Sequence, residues 1–352
     1  MPARKQPHTP EIFNTMKIRC LRIPDYALNI VRAAKSMWLE TLDQEVGLKP
    51  DQVLIHLLAA PINPSDISFI QGRYNIRKSL PAIPGFEAAG IVVLTGNDPK
   101  AKALDGKRVS CFTQEKEWGT WSEYFVAGCG DCIPIEDGIP DDQAACLSVN
   151  PLTAFGLFRH VKDKGCPSVL LNAAGSQVAS LIRQMASMEG INVINIVRKS
   201  EQADYLLQQG EQYVINQQEE GFQDILEKMT HKLDTRLALD AVGGELSGII
   251  LNSMPGNSEL VIYGGLSGKP TGSFDNLEMI FQGKAFRGWN LYDWKKEVGE
   301  EGFQKATAKI QKWILEGKLK TTIQATLPID QFESGLFQYI KNMSGGKILF
   351  TP

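Results

Sequence analysis

From Met16 to about Asn150 the apolar residues come in short runs bounded by Gly, Pro and Asp: MKIRCLRI, QVLIHLLAA, GIVVLTG, KRVSCF and WSEYFVAG. Short runs between tight turns predict a β-rich domain. After Pro151 strand-like runs alternate with helix-length stretches. SVLLNAA precedes a helical pattern over 178–188, INVINIV one over 202–209, YVIN one over 222–229 and RLALDAV one over 246–254, before ELVIYGG. Five strands separated by helices predict an α/β fold with a doubly wound parallel sheet. VLL is apolar throughout and INVINIV is so apart from Asn192 and Asn195, as expected of strands covered on both faces. Phe303, Ala306, Ile310 and Ile314 recur at helical spacing and predict a helix over 302–315. TTIQATL and GKILF read as closing strands that return to the first domain. The expected division is a β-rich domain of residues 1–149 and 300–352 around an α/β domain of residues 150–299.

Composition narrows the function classes. The 352 residues are 43% hydrophobic and 22% charged, with 37 Lys and Arg against 40 Asp and Glu. A formal charge of −3 weighs against a dedicated nucleic-acid binder. No apolar run reaches the roughly 18 residues of a membrane span. Residues 1–15 are polar and lack the apolar core of a secretory signal, so a floppy extension or alternative start is expected there. Six scattered cysteines fit a reducing cytoplasm better than a disulfide scaffold. Cys129 and Cys132 form a CxxC, but a zinc or redox reading needs a second pair or a His partner.

The turn after the first α/β strand reads Asn172, Ala173, Ala174, Gly175, Ser176, Gln177, Val178, Ala179. Small residues there let backbone N–H groups approach a pyrophosphate. The three expected glycine positions hold Ala174, Ser176 and Ala179, so the strict GxGxxG pattern fails and a plain strand-to-helix turn fits almost as well. The second strand ends in Arg198 and Lys199, where an NAD site would carry an acid. A guanidinium suits a 2′-phosphate, which favours NADPH; a solvated basic pair is the plainer alternative.

Several motifs then occur in a telling order: NPSDI at 63–67, IQGRY at 70–74, PGFEAAG at 84–90, VNPLTAF at 149–155, LDAVGGE at 239–245, YGGLSG at 263–268, FRGWNLYDW at 286–294 and GGKILF at 345–350. With the 172–179 turn they resemble the medium-chain dehydrogenase/reductase superfamily over nearly the whole chain from Met16. The resemblance implies a GroES-like catalytic domain and a Rossmann-type dinucleotide-binding domain. The Cys, GHE and second Cys of its zinc members are replaced by the segment 64–66, by Phe86 and by Asn150, and residues 96–103 lack the cysteines of a structural zinc lobe. A zinc-free reductase is implied. Within that branch the chain is most similar to the mitochondrial-type 2-enoyl thioester reductases of fatty acid synthesis, with quinone oxidoreductases as the rival.

By that resemblance Tyr74 donates a proton or hydrogen bond as charge builds on the thioester enolate; otherwise it is a loop tyrosine over apolar surface. Asn63 either fixes substrate or nicotinamide by its amide or caps a turn before Pro64. Trp289 lines the acyl and nicotinamide pocket, with Trp294 close enough to exchange roles, or both are core or interface residues. Asn150 and Thr153 face the nicotinamide. Gly175, Ser176, Gln177 and Val178 hold the pyrophosphate, Arg198 and Lys199 the 2′-phosphate. Tyr263, Gly264 and Gly265 approach the cofactor, and Lys347 lies near its phosphates or is solvated. Asp240 and His56 read as structural. The implied activity is NADPH-dependent reduction of an activated C=C bond in an acyl-CoA or acyl-ACP thioester. Quinones or small enones are the alternative substrates, and an acyl carrier protein and a second copy of the chain are the implied partners. A third reading, a non-catalytic dinucleotide-binding protein, also fits the glycine-poor turn.

Overall fold

The computed structural model describes residues 14–352; the expectation for the extreme N-terminus lies largely outside them. The chain forms two units. The first opens with β1 (Asn14–Arg22), α1 (Ile30–Ser36), β2 (Trp38–Val46), β3 (Gln52–Pro61), α2 (Pro64–Ile70) and β4 (Glu87–Thr95). It continues with α3 (Pro99–Lys102), β5 (Arg108–Phe112), β6 (Tyr124–Gly128), β7 (Cys132–Pro134) and α4 (Asp141–Ala145).

The second unit runs through α5 (Asn150–Asp163), β8 (Ser168–Leu171), α6 (Gln177–Glu189), β9 (Asn192–Val197), α7 (Ser200–Gln208) and β10 (Tyr213–Asn216). Then come α8 (Phe222–Lys232), β11 (Leu237–Asp240), α9 (Glu245–Asn252), β12 (Glu259–Ile262), α10 (Asn276–Phe281), β13 (Ala285–Gly288) and α11 (Leu291–Leu315), which is kinked at Gly299. The chain returns to the first unit with β14 (Ile323–Pro328), α12 (Phe332–Lys341) and β15 (Lys347–Thr351).

In the first unit β1 and β2 pair separately, and a larger sheet runs β14-β15-β3-β4-β5-β7, with β6 added on β3. Its core gathers Trp121, Phe69, Phe86 and Phe350, all fully buried, and Phe350 meets Trp121 edge-on at 5.2 Å. The second unit holds a six-stranded parallel sheet ordered β10-β9-β8-β11-β12-β13. That is the doubly wound order whose direction reverses between β8 and β11, the usual place for a nucleotide. The sheet has six strands where five were expected. The sixth, β13, escapes a reading of apolar runs because all four of its residues are exposed at the sheet edge.

The first unit takes residues to Ser148 plus Ile323–Asn342 and Lys347–Pro352; the second takes Val149–Thr322 and Met343–Gly346. The return therefore falls at residue 323 instead of 300. Trp313 of α11 packs on Phe155 of α5 at 5.9 Å, and Gln177 of α6 accepts from the Thr322 N–H at 3.0 Å, so the later helix and its exit stay with the parallel sheet.

Candidate active site and nucleotide turn

In the first unit Asn63 ends β3's extension and starts α2. Its backbone N–H donates to Asp66 at 2.7 Å, as a residue preceding Pro64 at a helix start favours. Its side chain bridges two partners: Nδ2 donates to Glu87 at 2.8 Å, and Oδ1 accepts from the ammonium of Lys347. Glu87 also accepts from the Ser148 hydroxyl at 3.3 Å. Asn63, Asp66, Glu87 and Lys347 are all buried. Lys347 is shut into the first unit's interior, held by Asn63 and the Ile62 carbonyl, so the alternative of a solvated lysine does not hold. Asn63 occupies the cap position of α2 through its backbone, while its side chain is tied to Glu87 and Lys347.

Burial pushes the Asp66 carboxyl up to about 7, against the Asn63 N–H and Lys347, which favour its charge. One of its oxygens, Oδ1, has no hydrogen-bond partner. Next to this cluster Tyr74 is half-buried, its ring 5.2 Å from that of Phe86. Burial and then Asp66 raise its phenol above the ordinary value, opposed by a hydrogen bond with Gln114. The phenol therefore stays protonated, and a donor, across neutral pH. Behind Phe86 lies a buried lysine, Lys78, whose ammonium donates to the carbonyls of Ile83 and Trp118 and sits 5.2 Å above the Phe86 ring. Desolvation lowers it to about 8. Phe86 thus stands in an aromatic group with Phe69 and Tyr74, where no imidazole is available. Among the described residues no three His, Cys, Asp or Glu converge as a metal site. His56, on β3, is half-buried against Tyr124.

In the second unit the 172–179 turn is built from below. Ala173 has a positive φ of 44°, the left-handed region. Asn172 pins it, donating to Asp240 at 2.5 Å and accepting from the Ala241 N–H at 2.8 Å. Asp240 is fully buried and also accepts from the Val242 and Gly243 N–H groups and the Ser247 hydroxyl. Arg183 reaches up from α6 to the Ala174 carbonyl at 2.5 Å and pairs with Glu211 at 3.2 Å. Ser176 caps α6, its Oγ accepting from the Ala179 N–H.

The free edge of this turn fits a dinucleotide phosphate. The α6 N-terminus carries oriented N–H groups and positive dipole. Gly175 lies so close to Ser344 that a Cβ would stand 3.1 Å from the Ser344 Cβ, and Gln202 donates to Ser344 at 3.1 Å. At Gly264 a Cβ would stand 2.7 Å from the Ala241 carbonyl oxygen, whereas Gly265 is open. Val178 is half-buried, and Gln177 spends its side chain on Thr322, leaving its backbone for a ligand. Arg198 and Lys199 are exposed at the end of β9. The Tyr263 hydroxyl is enclosed beside Ser176, and burial with Asp240 raises its pKa. Asn150 and Thr153 are buried in the first turn of α5.

Trp289 and Trp294 lie 6.4 Å apart. Trp294 is buried against Phe155, while Trp289 is half-exposed, which separates two residues that sequence left interchangeable. Both cover Gly156, where a Cβ would meet Trp289 at 2.7 Å and Trp294 at 3.0 Å. Asp66, Glu87, Lys78, Gln202 and Ser344 were not anticipated as site residues. Only Glu87 carried a signal, a lone acid inside the apolar run GFEAAG.

Residues 49–137 match the alcohol dehydrogenase GroES-like domain family, and residues 178–310 match the zinc-binding dehydrogenase family. Mouse mitochondrial enoyl-[acyl-carrier-protein] reductase is 30% identical over 323 residues, covering 90% of this chain and 85% of the relative. The chain belongs to the medium-chain dehydrogenase/reductase superfamily. Among solved superfamily structures, a provisionally designated NADPH:quinone reductase from Mesorhizobium loti is 33% identical with a TM-score of 0.86, covering 96% of this chain and 98% of that one. The mitochondrial 2-enoyl thioester reductase heterodimer of Candida tropicalis shares the fold, with a TM-score of 0.77 at 22% identity, covering 96% of this chain and 100% of that one. The protein is an oxidoreductase of this superfamily's enoyl reductase and quinone oxidoreductase branch. Among its described residues no helix is long and apolar enough to cross a membrane.

Proposed function

We propose that the protein reduces the activated C=C bond of a 2-enoyl thioester, acyl-CoA or acyl-ACP, with NADPH. The observation that carries this reading is Tyr74, half-buried and held protonated beside Asp66 and Phe86. NADPH would be held by the N–H groups of the 175–178 turn, with Arg198 and Lys199 at its 2′-phosphate; Asn150, Thr153, Tyr263, Gly264 and Gly265 are the remaining cofactor contacts. Bound there, the cofactor supplies a hydride for the β-carbon of the alkene. Tyr74 donates from its hydroxyl to the developing enolate, a base strong enough to draw on a phenol. Trp289 offers an aromatic face to acyl chain or nicotinamide.

NADPH oxidation with crotonyl-CoA tests the reading. Wild-type turnover, lost by about 10²-fold or more in Tyr74→Phe with NADPH binding kept, is the expected result for a general acid. Equal turnover in the variant overturns the role of Tyr74. The quinone or small-enone reading is favoured by the likeness to the Mesorhizobium loti protein. Faster turnover of a quinone or an enal than of crotonyl-CoA would establish it.

We further infer a homodimer formed along β13, whose exposed strand edge and neighbouring Phe281, Ile280 and Phe286 are open to a second copy. Light scattering of Phe281→Asp against wild type tests it, and an unchanged mass would refute it. The six free cysteines suit the cytoplasm, whereas the curated relative above is mitochondrial; fractionation with organelle markers decides.

A further inference from the structure

We propose that Cys111, Cys129 and Cys132 form a redox-modification site, in which a low-molecular-weight disulfide oxidises the CxxC pair and the bond then passes to the cross-strand pair Cys111–Cys132. The fold supplies the partner that the CxxC lacks in sequence. Cys111 of β5 lies directly opposite Cys132 of β7 in the antiparallel register. Opposed residues have Cα atoms roughly 4.5 or 5.5 Å apart, inside the range of about 4.4–6.8 Å that a disulfide spans. The Cys132 thiol donates to the Gly128 carbonyl at 3.5 Å, and the Cys111 thiol is raised first of all by its contact with Cys132.

Cys129 is one short turn away. The Cys132 N–H donates to the Cys129 carbonyl, and charge on Cys132 would raise the thiols of both Cys129 and Cys111. Cys132 therefore stands between the other two. Access falls along the series: Cys129 is partly exposed, Cys132 is 9% exposed and Cys111 is sealed at 0%. An oxidant from solvent meets Cys129 first.

The exchange balances. The Cys129 thiolate attacks one sulfur of the oxidant RSSR and releases RSH. Cys132 gives up its proton, displaces the second RSH and closes Cys129–Cys132. Cys111 gives up its proton and attacks the Cys132 sulfur; Cys129 leaves and is reprotonated. In sum two thiols and RSSR become one protein disulfide and two RSH, with two electrons passing to RSSR. Burial and then Asp98 and Asp51 at Cys129, and the Cys132 contact and burial at Cys111, favour the neutral thiols, so the site responds to sustained oxidant and not to a brief pulse. The product fastens β7, a three-residue strand at the sheet edge, to β5.

The test is incubation of the whole enzyme with oxidised glutathione, followed by alkylation in denaturant and peptide mapping by mass spectrometry. The expected product joins the Cys111 and Cys132 peptides, leaves Cys129 alkylated and is reversed by dithiothreitol. In Cys111→Ser the bond should stop at Cys129–Cys132. In Cys129→Ser the Cys111–Cys132 bond should form about tenfold more slowly or less, since the entry thiol is gone. Stable Cys129–Cys132 in wild type, with Cys111 still alkylated, would overturn the proposal. So would Cys111–Cys132 formation at the wild-type rate in Cys129→Ser, a partly exposed site whose replacement leaves the core intact.

Discussion

The ammonium of Lys347, on the last strand of the chain, donates to the side-chain oxygen of Asn63, whose amide nitrogen in turn donates to Glu87. The cation is therefore part of the first unit's interior. Lys347→Met should cost about 1–3 kcal/mol of unfolding free energy, because the buried Asn63 side-chain oxygen and Ile62 carbonyl lose their donor. Urea unfolding measures the loss. NADPH affinity of the folded variant should change little, and a large loss of affinity with unchanged stability would restore a phosphate role for Lys347.

Asp66 makes stability depend on pH. Its folded carboxyl sits near 7, above its ordinary 3.8, so the native state holds the proton more tightly than the unfolded chain does. The contribution is fully present below about pH 4 and is lost as pH rises through 7, a change of roughly 1–4 kcal/mol. Asp66→Asn should flatten the wild-type decline in unfolding free energy between pH 5 and 7.5, and parallel curves for the two proteins would argue against it.

Gly156 is fixed by its neighbours. In Gly156→Ala the new methyl must displace Trp289 or Trp294, at a cost of about 1–3 kcal/mol. A lowered melting temperature together with a shifted tryptophan emission spectrum is the expected signature. Unchanged emission would mean that the indoles do not move.

For Arg198→Ala, loss of a charge-assisted hydrogen bond worth about 1.5–3 kcal/mol should raise the NADPH dissociation constant roughly 10- to 150-fold. NADH binding should be nearly unaffected. Isothermal titration with both cofactors gives the ratio, and equal effects would remove Arg198 from 2′-phosphate recognition.

The parallel sheet was legible because strands covered on both faces are mainly apolar, as INVINIV is apart from Asn192 and Asn195. The same logic fails at β13, which is exposed, and at α5, which is buried over most of its surface from Asn150 to Val161 and so lacks the one-sided periodicity of a surface helix. The turn at 172–179 was readable from small residues. Its supports Asn172, Arg183 and Asp240 come from three different elements, and local pattern gives them no common mark. Asn63 and Lys347 meet only because β15 pairs with β3, a contact between distant parts of the chain.

The last five-residue strand also dictates the order of events at the ribosome. Domains tend to complete themselves as they emerge, the N-terminal one first. Here the first unit lacks β15, with Lys347 and Phe350, until residues 347–351 have emerged, whereas most of the second unit is available once Thr322 has emerged. The unit that begins the chain is the last able to close, and a nascent chain halted before residue 347 exposes the unfilled edge of β3 to whatever chaperone or neighbour is at hand.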